Sequence, residues 1–532
     1  SSWDTIVKSN ILALDLEWDI KGNIHTVGIA NEKLAGAFQL NEVLEKLKTL
    51  LESPHNTIIG HSISGDIAKL IKLGIQPKCA FIDTIILSRE FGVSETTQDD
   101  GLDYFAENYL MMERYWKDIK YPDDFQEYNS KLAYYCASDA YASILLYKRF
   151  QEDFKAEWKQ MKTAREIDMA MILPVASMEL MGIKLDINVY NKHKEKLQQA
   201  LEKKRQEITT LYGINPGSPQ QVLQALREEG YEIATTNAET LTTLNHALAK
   251  AVLDYRELHT LVTRYLTEIQ VDENHLIHPK YMISKANTGR GATVNPNLQN
   301  IPKDLRDMLV SKFDKDGQLV TIDANQSEYR CMAYLSGYKP LIEAYMQGID
   351  MHTWTSELCK IPRKQAKNLN FARLYGASRT RLETMLVKDG LDTKDAKEIV
   401  SDYLELTKGL EEYQRRVVDE AMKRGYVESP YGRRGYRLNY TQVINFPVQS
   451  FSSDLNKIRL IKLFNLMKSM LSHIWLEFHD GIEIDLWLPE KERLLELVEE
   501  LPKTIPDVCK KGINLPLPLE IKFHTKGWLD KG

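Results

Sequence analysis

Hydrophobic positions alternate between strand and helix spacing over the first 150 residues of the chain. The run ILALDLEW at 11–18 and the run HTVGIAN at 25–31 have the apolar and β-branched character of strands. Residues 41–52 place apolar side chains at helical spacing, and a short strand at 56–62 is followed by a helix at 65–75. Strands that alternate with helices predict an α/β domain.

Beyond residue 150 the pattern changes to long helices and then to mixed segments. Residues 151–175 are predicted to form a charged helical connector, and residues 180–213 a turn followed by a long amphipathic helix. A second helical segment, over about residues 239–269, is long enough to project from the body together with the first. The remaining chain divides into a strand-and-turn stretch, a mostly helical stretch, and one that mixes helices with two short strands: 276–345, 350–428 and 430–532.

Length and composition restrict the class of protein. The 532 residues exceed what one hydrophobic core organises, so two to four domains are expected. Hydrophobic residues make up 43% and charged residues 27%, which indicates a globular rather than a disordered chain. No uninterrupted apolar run is long enough to span a bilayer. The first residues, SSWDTIVKSN, lack an initiator Met and a signal-peptide core, and we expect a trimmed or processed end with upstream sequence missing.

The net charge bears on the possible partners of the chain, and the cysteines bear on its cellular compartment. The formal net charge of −6 provides no global electrostatic argument for nucleic-acid binding. Three local basic stretches exist, each of which by itself is more often a solvated helix face: 192–206, 363–381 and 431–437. A site for metals and phosphates also needs carboxylates, so mild acidity is compatible with a polyanionic partner. The five cysteines are spaced singly, without a zinc-like cluster, and favour a reducing compartment.

A first set of carboxylates lies in the α/β domain. Asp15 and Glu17 stand two residues apart on one predicted strand, so both side chains point to the same face, where a divalent cation would relieve their repulsion. Chance explains most isolated pairs of this kind. Asp66 opens a predicted helix, where N-cap duty is a sufficient role. Tyr135 and Asp139 are four residues apart on a predicted helix and share a face.

A second set raises a question of charge compensation. The apolar run Leu319–Ile322 is typical of a buried strand and ends on Asp323, a carboxylate that is costly to bury without a positive partner. Asp480 falls at the predicted hairpin tip within WLEFHDGIEIDLW. Each alone is more often a turn aspartate. Together, two strand-end aspartates suggest a two-metal site, and the metals would compensate Asp323.

The most specific pattern lies between them. Arg363, Lys367, Phe371 and Tyr375 recur every four residues in PRKQAKNLNFARLYGAS, which on a helix forms one stripe from two cations to two aromatics. Cations bind a polyphosphate, whereas aromatic faces stack on sugar and base. A stripe that served only the core would not begin with Arg and Lys.

The first carboxylate set, taken with Tyr135, resembles the DEDD-type 3′–5′ exonuclease in its tyrosine variant. FIDTIILSREF at 81–91 fits the strand that this family carries between its second and third motifs. The resemblance implies that Asp15, Glu17, Asp66 and Asp139 clamp two Mg²⁺ or Mn²⁺ ions and that Tyr135 orients the attacking water. One departure is Ser62, which stands where the family usually has Asn.

Residues 165–532 resemble the polymerase region of the DNA polymerase I family (family A), and 1–150 its proofreading domain. Further matches occur in the family's order: TGR at 288–290, PNLQNIP at 296–302, DMH at 350–352, YVESPYGRR at 426–434 and NFPVQ at 445–449. The implied fold class is a multidomain α/β and α+β chain, an RNase H-like 3′–5′ exonuclease domain followed by a right-hand polymerase with thumb, palm and fingers. The implied boundaries are 1–160 for the exonuclease domain, 161–275 for connector and thumb, 276–345 and 430–532 for the palm, and 346–429 for the fingers.

The resemblance also implies roles in the polymerase site. Asp323 and Asp480 would hold two Mg²⁺ ions, with Mn²⁺ able to substitute, and Lys367 is a candidate acid for the leaving pyrophosphate. Residues implied to contact the incoming nucleotide are Arg363, Lys367, His352, Phe371 and Tyr375. Glu328 would fill the space beneath the sugar, hydrogen-bond Tyr375 and exclude a 2′-OH. Residues implied to contact primer–template DNA near the minor groove are Arg290, Asn297, Gln299, Asn445 and Gln449.

Three positions depart from the family pattern. Ala324 replaces the aromatic residue after the first palm aspartate, Gly481 replaces the Glu after Asp480, and Thr441 replaces an Arg. Because Gly481 removes only an accessory carboxylate, we expect catalysis to survive with altered metal preference or fidelity.

The leading hypothesis is a template-directed DNA polymerase with an appended proofreader, acting in replication or repair. Its expected partners are primer–template DNA and deoxynucleoside triphosphates, with no membrane, accessory proteins left open, and a monomeric chain. The expected location is the cytoplasm of a bacterium or of a virus-infected host, or an organelle matrix after processing. A single-subunit RNA polymerase is the first alternative, and Glu328 opposes it because the carboxylate would clash with a ribose 2′-OH. A nuclease whose polymerase half only binds nucleic acid, and a structural nucleic-acid-binding protein, are the others.

Overall fold

A computed structural model describes residues 3–93, 100–509, 512–525 and 527–528. The first part is a five-stranded mixed sheet in the order β3-β2-β1-β4-β5, in which β1 pairs antiparallel with β2 and parallel with β4. The strands are β1 Ile11–Trp18, β2 Ile24–Ala30, β3 Ala35–Gln39, β4 Thr57–Gly60 and β5 Ala80–Asp83. The helices are α1 Trp3–Ile6, α2 Leu40–Leu51, α3 Ser64–Lys72, α4 Thr84–Glu90, α5 Leu102–Asn108 and α6 Ser130–Asp153.

Two local predictions in this part were wrong. FIDTIILSREF is not one strand, because the strand ends at Asp83, whose carboxylate accepts from the Ile85 N–H and caps helix α4. Asp66 is not an N-cap, since Ile63 holds that position and Asp66 lies buried in the first turn of α3. Strand β3 was not predicted.

The middle of the chain is helical. Its elements are α7 Lys155–Gln160, α8 Lys162–Ala170, α9 Ile172–Met181, β6 Ile183–Leu185, α10 Ile187–Tyr212, α11 Pro219–Glu228, α12 Ala238–Thr243 and α13 Ala247–Val262. The Asp186 side chain caps the long helix α10, which ends on Gly213 in the left-handed conformation. The second helix predicted over 239–269 is broken, because the chain leaves helical geometry between Thr243 and Ala247.

The third part contains the sheet that carries Asp323. The elements are β7 Leu276–Ile277, β8 Lys280–Met282, β9 Ala292–Val294, β10 Leu309–Val310, β11 Gly317–Ala324, α14 Ser327–Ser336, α15 Lys339–Met346, α16 Met351–Cys359, α17 Arg363–Leu374, α18 Arg379–Lys388, α19 Thr393–Leu406 and α20 Lys408–Arg424. The last elements are β12 Val427–Glu428, β13 Arg434–Gly435, α21 Tyr440–Leu466, β14 His473–Phe478, β15 Gly481–Trp487, α22 Lys491–Glu499 and β16 Leu519–Phe523.

The four-stranded sheet has the order β14-β15-β11-β16, all antiparallel. The predicted hairpin is present as β14 and β15, whereas β16 had no counterpart in the sequence prediction. Its apolar core is continuous with that of the first sheet, since one cluster of buried side chains joins Leu14 of β1, Val175 of α9 and Trp475 of β14. No helix among the described residues is both long and apolar enough to cross a bilayer.

Candidate active sites

The register between β11 and β15 brings Asp323 and Asp480 together. Asp323 pairs with Gly481, and the two-residue turn of His479 and Asp480 precedes β15, so both carboxylates stand at one end of the sheet. The Ala324 N–H donates to the Asp480 carbonyl at 3.4 Å, which fixes the strand end against the turn. Residues 157 positions apart in the chain therefore share one edge.

Both aspartates face a cavity of about 670 Å³. Nine sequence-predicted residues line it: Arg290, Asp323, Glu328, His352, Arg363, Lys367, Phe371, Tyr375 and Asp480. Asp480 accepts from the Ser452 hydroxyl at 3.1 Å. Burial, together with the nearby Glu328 carboxylate, raises the pKa of Asp480 to about 6. A cation placed among these oxygens would remove that unfavourable charge, and carboxylate oxygens are ligands that Mg²⁺ prefers.

Helix α17 presents the predicted stripe to this cavity. Its opposite face is buried through Ala366 and Leu369, which orients Arg363, Lys367 and Phe371 outward. Tyr375 lies one residue beyond the helix, and its ring is 6.4 Å from that of Phe371 at an interplanar angle of 25°. The Lys367 Nζ is 5.9 Å from the Phe371 ring centre.

His352 stands behind the stripe as a neutral side chain. Burial lowers the pKa of His352 to about 4. The Asn370 amide lies 3.1 Å from its Nδ1. Because the Asn370 Nδ2 is a donor, Nδ1 accepts and the ring proton is placed on Nε2.

Glu328 links the stripe to the aspartates. The Tyr375 hydroxyl donates to Glu328 Oε2 at 2.9 Å, and the Arg290 guanidinium donates to the other carboxylate oxygen. The same Arg290 Nη2 lies 3.9 Å from Asp480 Oδ1. The carboxylate is thus held by a cation and a phenol at the cavity wall.

Four predicted residues lie outside the lining of this cavity: Asn297, Gln299, Asn445 and Gln449. The Gln299 amide donates to the Glu477 carbonyl at 2.9 Å. Asn297 Oδ1 is buried and has no hydrogen-bond partner among the described residues. Their contacts with DNA stay a prediction.

Two further acidic residues line the cavity and were not predicted from the sequence. Glu483 is buried, accepts from Thr321 Oγ1 at 2.7 Å, and has its pKa raised to about 8 by burial. Glu520 of β16 pairs directly with Asp323. Because residues two apart on a strand share a face, the spacing of Gly481 and Glu483 could have indicated that Glu483 faces the cavity. Nothing in the sequence indicated that β16 joins β11.

The structure also locates the departures from the family pattern. A Cβ on Gly481 would lie 3.5 Å from Asp323 Oδ1, so this position adjoins the metal-site candidate and carries no carboxylate. Ala324 is buried in the core beside α14, and Thr441 is exposed in the first turn of α21.

The second site forms where α6 crosses β1 and β2. Asp15 and Glu17 project from β1 toward α6, which carries Tyr135 and Asp139. Opposite Asp15 in the sheet stands Gly28, where a Cβ would be 2.4 Å from the Cys136 carbonyl, so only glycine allows this close approach of helix and sheet. The Cys136 Sγ and carboxylate oxygens of Asp15 and Glu17 lie within 4.8 Å of one another.

The electrostatics of this cluster favour a bound cation. Burial and the neighbouring carboxylates raise the pKa of Asp15 above its ordinary value and that of Glu17 to about 9. Burial also raises the pKa of Asp66 to about 8 and that of Asp139 to about 6. The buried Asp15 Oδ2 has no hydrogen-bond partner in the described part of the chain. Divalent cations would satisfy these oxygens and hold the acids ionised.

Two supporting residues were not predicted. Asp83 accepts from the N–H groups of Ser62 and Ile63 at 2.8 and 3.0 Å, which fixes the loop in which Ser62 has a φ of 60°. The Tyr115 hydroxyl donates to Asp139 Oδ1 at 2.6 Å. Asp83 lies within FIDTIILSREF, but nothing in that pattern indicated its contact with the Ser62 loop, and Tyr115 stands in none of the quoted motifs, so tertiary contacts reveal both roles.

Comparison with known proteins identifies two domain families in this chain. The family model for DNA polymerase family A matches residues 187–530, and that for the 3′–5′ exonuclease matches residues 8–155. DNA polymerase I of Borreliella burgdorferi is 29% identical over 538 aligned residues, covering 92% of this chain and 57% of the relative. DNA polymerase I of Bacillus subtilis is 28% identical over 419 residues, covering 70% of this chain and 46% of the relative. The chain thus spans about half the length of the curated relatives it matches.

A solved structure shares the fold. The POL domain of Pol1 from M. smegmatis, in complex with DNA primer-template and dNTP, matches with a TM-score of 0.78 and 23% identity, covering 97% of this chain and 95% of that one. The predicted order of an exonuclease domain followed by a polymerase domain is confirmed. The family model for DNA polymerase family A matches well over half of the residues of this chain. The chain therefore belongs to DNA polymerase family A and carries a 3′–5′ exonuclease domain before the polymerase region.

Proposed function

We propose that the chain is a template-directed DNA polymerase that extends a primer 3′ end with deoxynucleotides and proofreads through its 3′–5′ exonuclease. The observation that supports this proposal most strongly is that Asp323 and Asp480 line the same cavity as the side-chain stripe of α17. Two carboxylates opposite two cations and two aromatics suit a metal-bound triphosphate that carries a base. A protein that only binds nucleic acid would not need this arrangement.

In the polymerase site Asp323 and Asp480 would hold Mg²⁺, or Mn²⁺ in its place. When bound, two such ions lower the pKa of the primer hydroxyl and neutralise charge on the reacting phosphate. Arg363 and Lys367 bind the triphosphate oxygens, and Lys367 donates a proton to the leaving pyrophosphate. Phe371 and Tyr375 stack near the base.

The neutral His352 has a defined part. Since its pKa is about 4, it carries no positive charge near neutral pH. Its Nδ1 accepts from Asn370, so its Nε2–H is the group that donates to a phosphate oxygen. It therefore orients the triphosphate rather than adding to the positive charge.

In the exonuclease site Asp15, Glu17, Asp66 and Asp139 would hold two divalent ions that activate water and stabilise the leaving 3′ oxygen. Tyr135 orients the water for attack on the terminal phosphodiester. Tyr115 holds the Asp139 carboxylate in place through its 2.6 Å hydrogen bond.

In this proposal the polymerase part has the three subdomains of a right hand. The thumb lies within 161–275, the palm comprises 276–345 and 430–532, and the fingers comprise 346–429. The helix α17 closes onto the palm when a correct nucleotide binds. The setting we propose is the reducing interior of a cell or organelle, because no disulfide joins cysteines in the described part of the chain and four of the five are buried. We also propose that the chain acts as a monomer.

A labelled primer–template tests the proposal directly. With Mg²⁺ and deoxynucleoside triphosphates we expect template-dependent extension, and without nucleotides we expect shortening from the 3′ end, faster at a mismatched terminus. Ribonucleotides in place of deoxynucleotides should support little extension. Extension with ribonucleotides alone would favour an RNA polymerase, and shortening without any extension would favour a nuclease.

Glu328→Ala is expected to relax the choice of sugar. The carboxylate is held against the cavity wall by Tyr375 and Arg290, and its loss opens space for a 2′-OH. We expect the preference for dNTP over NTP to fall about 100-fold in kcat/KM, because a steric and hydrogen-bonded discrimination is removed. Single-nucleotide incorporation assays measure this ratio. Exposed Glu412 on α20, changed to alanine, is the matched control, and an unchanged ratio in Glu328→Ala would refute the role.

A further inference from the structure

Arg89, near the end of exonuclease helix α4, contacts the polymerase part of the chain. The Arg89 side chain is only 10% exposed. Its Nη1 donates to the Ile283 carbonyl at 3.0 Å, and its Nε and Nη2 donate to Asp100 Oδ2 at 3.1 and 2.8 Å. Asp100 also accepts from Lys285 Nζ at 3.2 Å. A buried ionic cluster thus joins the exonuclease domain to the segment that begins at Ile283.

The same cluster extends toward the exonuclease site. The Asp100 carbonyl accepts from His61 Nε2 at 2.7 Å, and the other ring nitrogen lies 2.8 Å from Thr84 Oγ1. His61 immediately precedes Ser62, whose loop leads into the helix that carries Asp66. Asp100 is therefore held from both domains.

Residues 283–290, which we call the bridging loop, are held by internal hydrogen bonds and by a close contact at a glycine. The Ala286 N–H donates to the Arg290 carbonyl at 3.0 Å, and the Gly289 N–H donates to the Ala286 carbonyl at 2.8 Å. Gly289 has a φ of 84°, and a Cβ there would lie 2.6 Å from the Arg433 guanidinium. Only glycine fits this turn against that side chain.

A second buried network holds Ser284, the second residue of the bridging loop. The Ser284 hydroxyl donates to Asp168 and accepts from Lys457 Nζ at 2.9 Å. Arg433 Nη1 donates to Asp168 at 2.6 Å, and its Nη2 donates to Asp454 at 2.7 Å. These side chains are almost fully buried, so removal of one partner would leave an uncompensated charge in the interior.

The bridging loop ends at the polymerase site. Its last residue, Arg290, donates to Glu328 and lies 3.9 Å from Asp480 Oδ1. The backbone position of Arg290 depends on a loop whose first residue is bound by Arg89 of the other domain. Placement of this kind matters for catalysis, since a misplacement of about 1 Å lowers a rate by a factor on the order of 100.

We propose that Arg89, although it lies in the exonuclease domain, is a positioning residue for primer extension. It holds Ile283 and, through Asp100, Lys285, and thereby keeps Arg290 in register with Glu328 and Asp480. The exonuclease domain is thus part of the support of the polymerase site. This inference rests on the proposed polymerase function and adds a structural dependence to it.

The test measures extension in the full chain on an Asp15→Ala background, which separates synthesis from degradation. Arg89→Met keeps the side-chain length and removes every donor. We expect kcat for nucleotide incorporation to fall about tenfold at saturating primer–template and dNTP, as expected for a positioning contact between distant sites. Lys285→Met should produce a smaller loss, and Arg89→Lys should recover part of the activity. Arg149→Met, an exposed arginine of the same domain paired with Asp153, is the matched control.

A double-mutant cycle distinguishes positioning from general destabilisation. In an Arg290→Ala background, Arg89→Met should cause no further loss of kcat, because the group through which it acts is absent. An equal fractional loss in both backgrounds, or a folded Arg89→Met with the parent kcat, would overturn the inference. If Arg89→Met does not fold, the same cycle run with Arg89→Lys decides the question, because lysine keeps the charge but lacks the fork of donors that binds Asp100 and the Ile283 carbonyl together. Absence of extension in the unsubstituted chain would instead refute the proposed function.

Discussion

Primer extension is expected to be lost when Asp480 is changed to alanine, with 3′–5′ degradation retained. The substitution removes one of the two carboxylates at the shared edge of β11 and β15, so in the proposed site Asp323 alone would be left to hold the ions. We expect kcat for incorporation to fall by a factor on the order of 1,000 or more, because charge stabilisation of the transition state is lost. Rapid-quench measurement of single-nucleotide incorporation gives the rate.

We expect the Asp480→Ala variant to fold normally, so a loss of primer extension would report on the site and not on stability. Asp480 lies in a turn, and the Ser452 hydroxyl is its side-chain hydrogen-bond donor among the described residues, so alanine fits without a cavity in the core. Asp419→Ala, at an exposed carboxylate on α20, is the matched control and should extend primers at the parental rate. Undiminished extension by Asp480→Ala would refute the assignment of the polymerase site.

Asp15→Ala should have the reciprocal effect. The carboxylate Oδ2 is buried without a hydrogen-bond partner among the described residues and adjoins Glu17, as expected of a metal ligand. We expect single-strand degradation to fall by a factor on the order of 1,000, extension to stay within about twofold, and misincorporation to rise. Degradation of a 3′-labelled strand and a mismatch-extension assay measure the two changes.

Stability provides an independent test of the same residue. Burial and neighbouring carboxylates raise the pKa of Asp15, so in chelator this acid is a source of unfavourable energy in the folded state. Asp15→Ala should therefore leave the thermal midpoint unchanged or raise it when metal is removed, and abolish any rise that Mn²⁺ causes. Exposed Glu45→Ala on α2 is the control. A protein that degrades DNA normally without the Asp15 carboxylate would exclude the two-metal exonuclease site.

Local spacing predicted those parts of the sites that lie within one element. The two-residue spacing of Asp15 and Glu17, the four-residue spacing of Tyr135 and Asp139, and the stripe of α17 all follow from the geometry of a strand or a helix. The same reasoning failed at FIDTIILSREF, because a side-chain cap at Asp83 ends the strand and starts a helix. Alternation of apolar residues does not report such a hydrogen bond.

By itself the sequence determined which residue types stand at fixed steps along each helix and strand, and motif order was sufficient to place the chain in its family. Tertiary structure alone decided that Asp323 pairs with Gly481 and Glu520, that Tyr115 holds Asp139, and that Arg89 reaches the loop of Arg290. The physical reason is the distance along the chain over which each kind of interaction acts. Dihedral preferences and side-chain periodicity act over a few residues, whereas strand register and buried ion pairs join distant segments, up to 289 residues apart for Asp168 and Lys457, and only the packed chain selects among them.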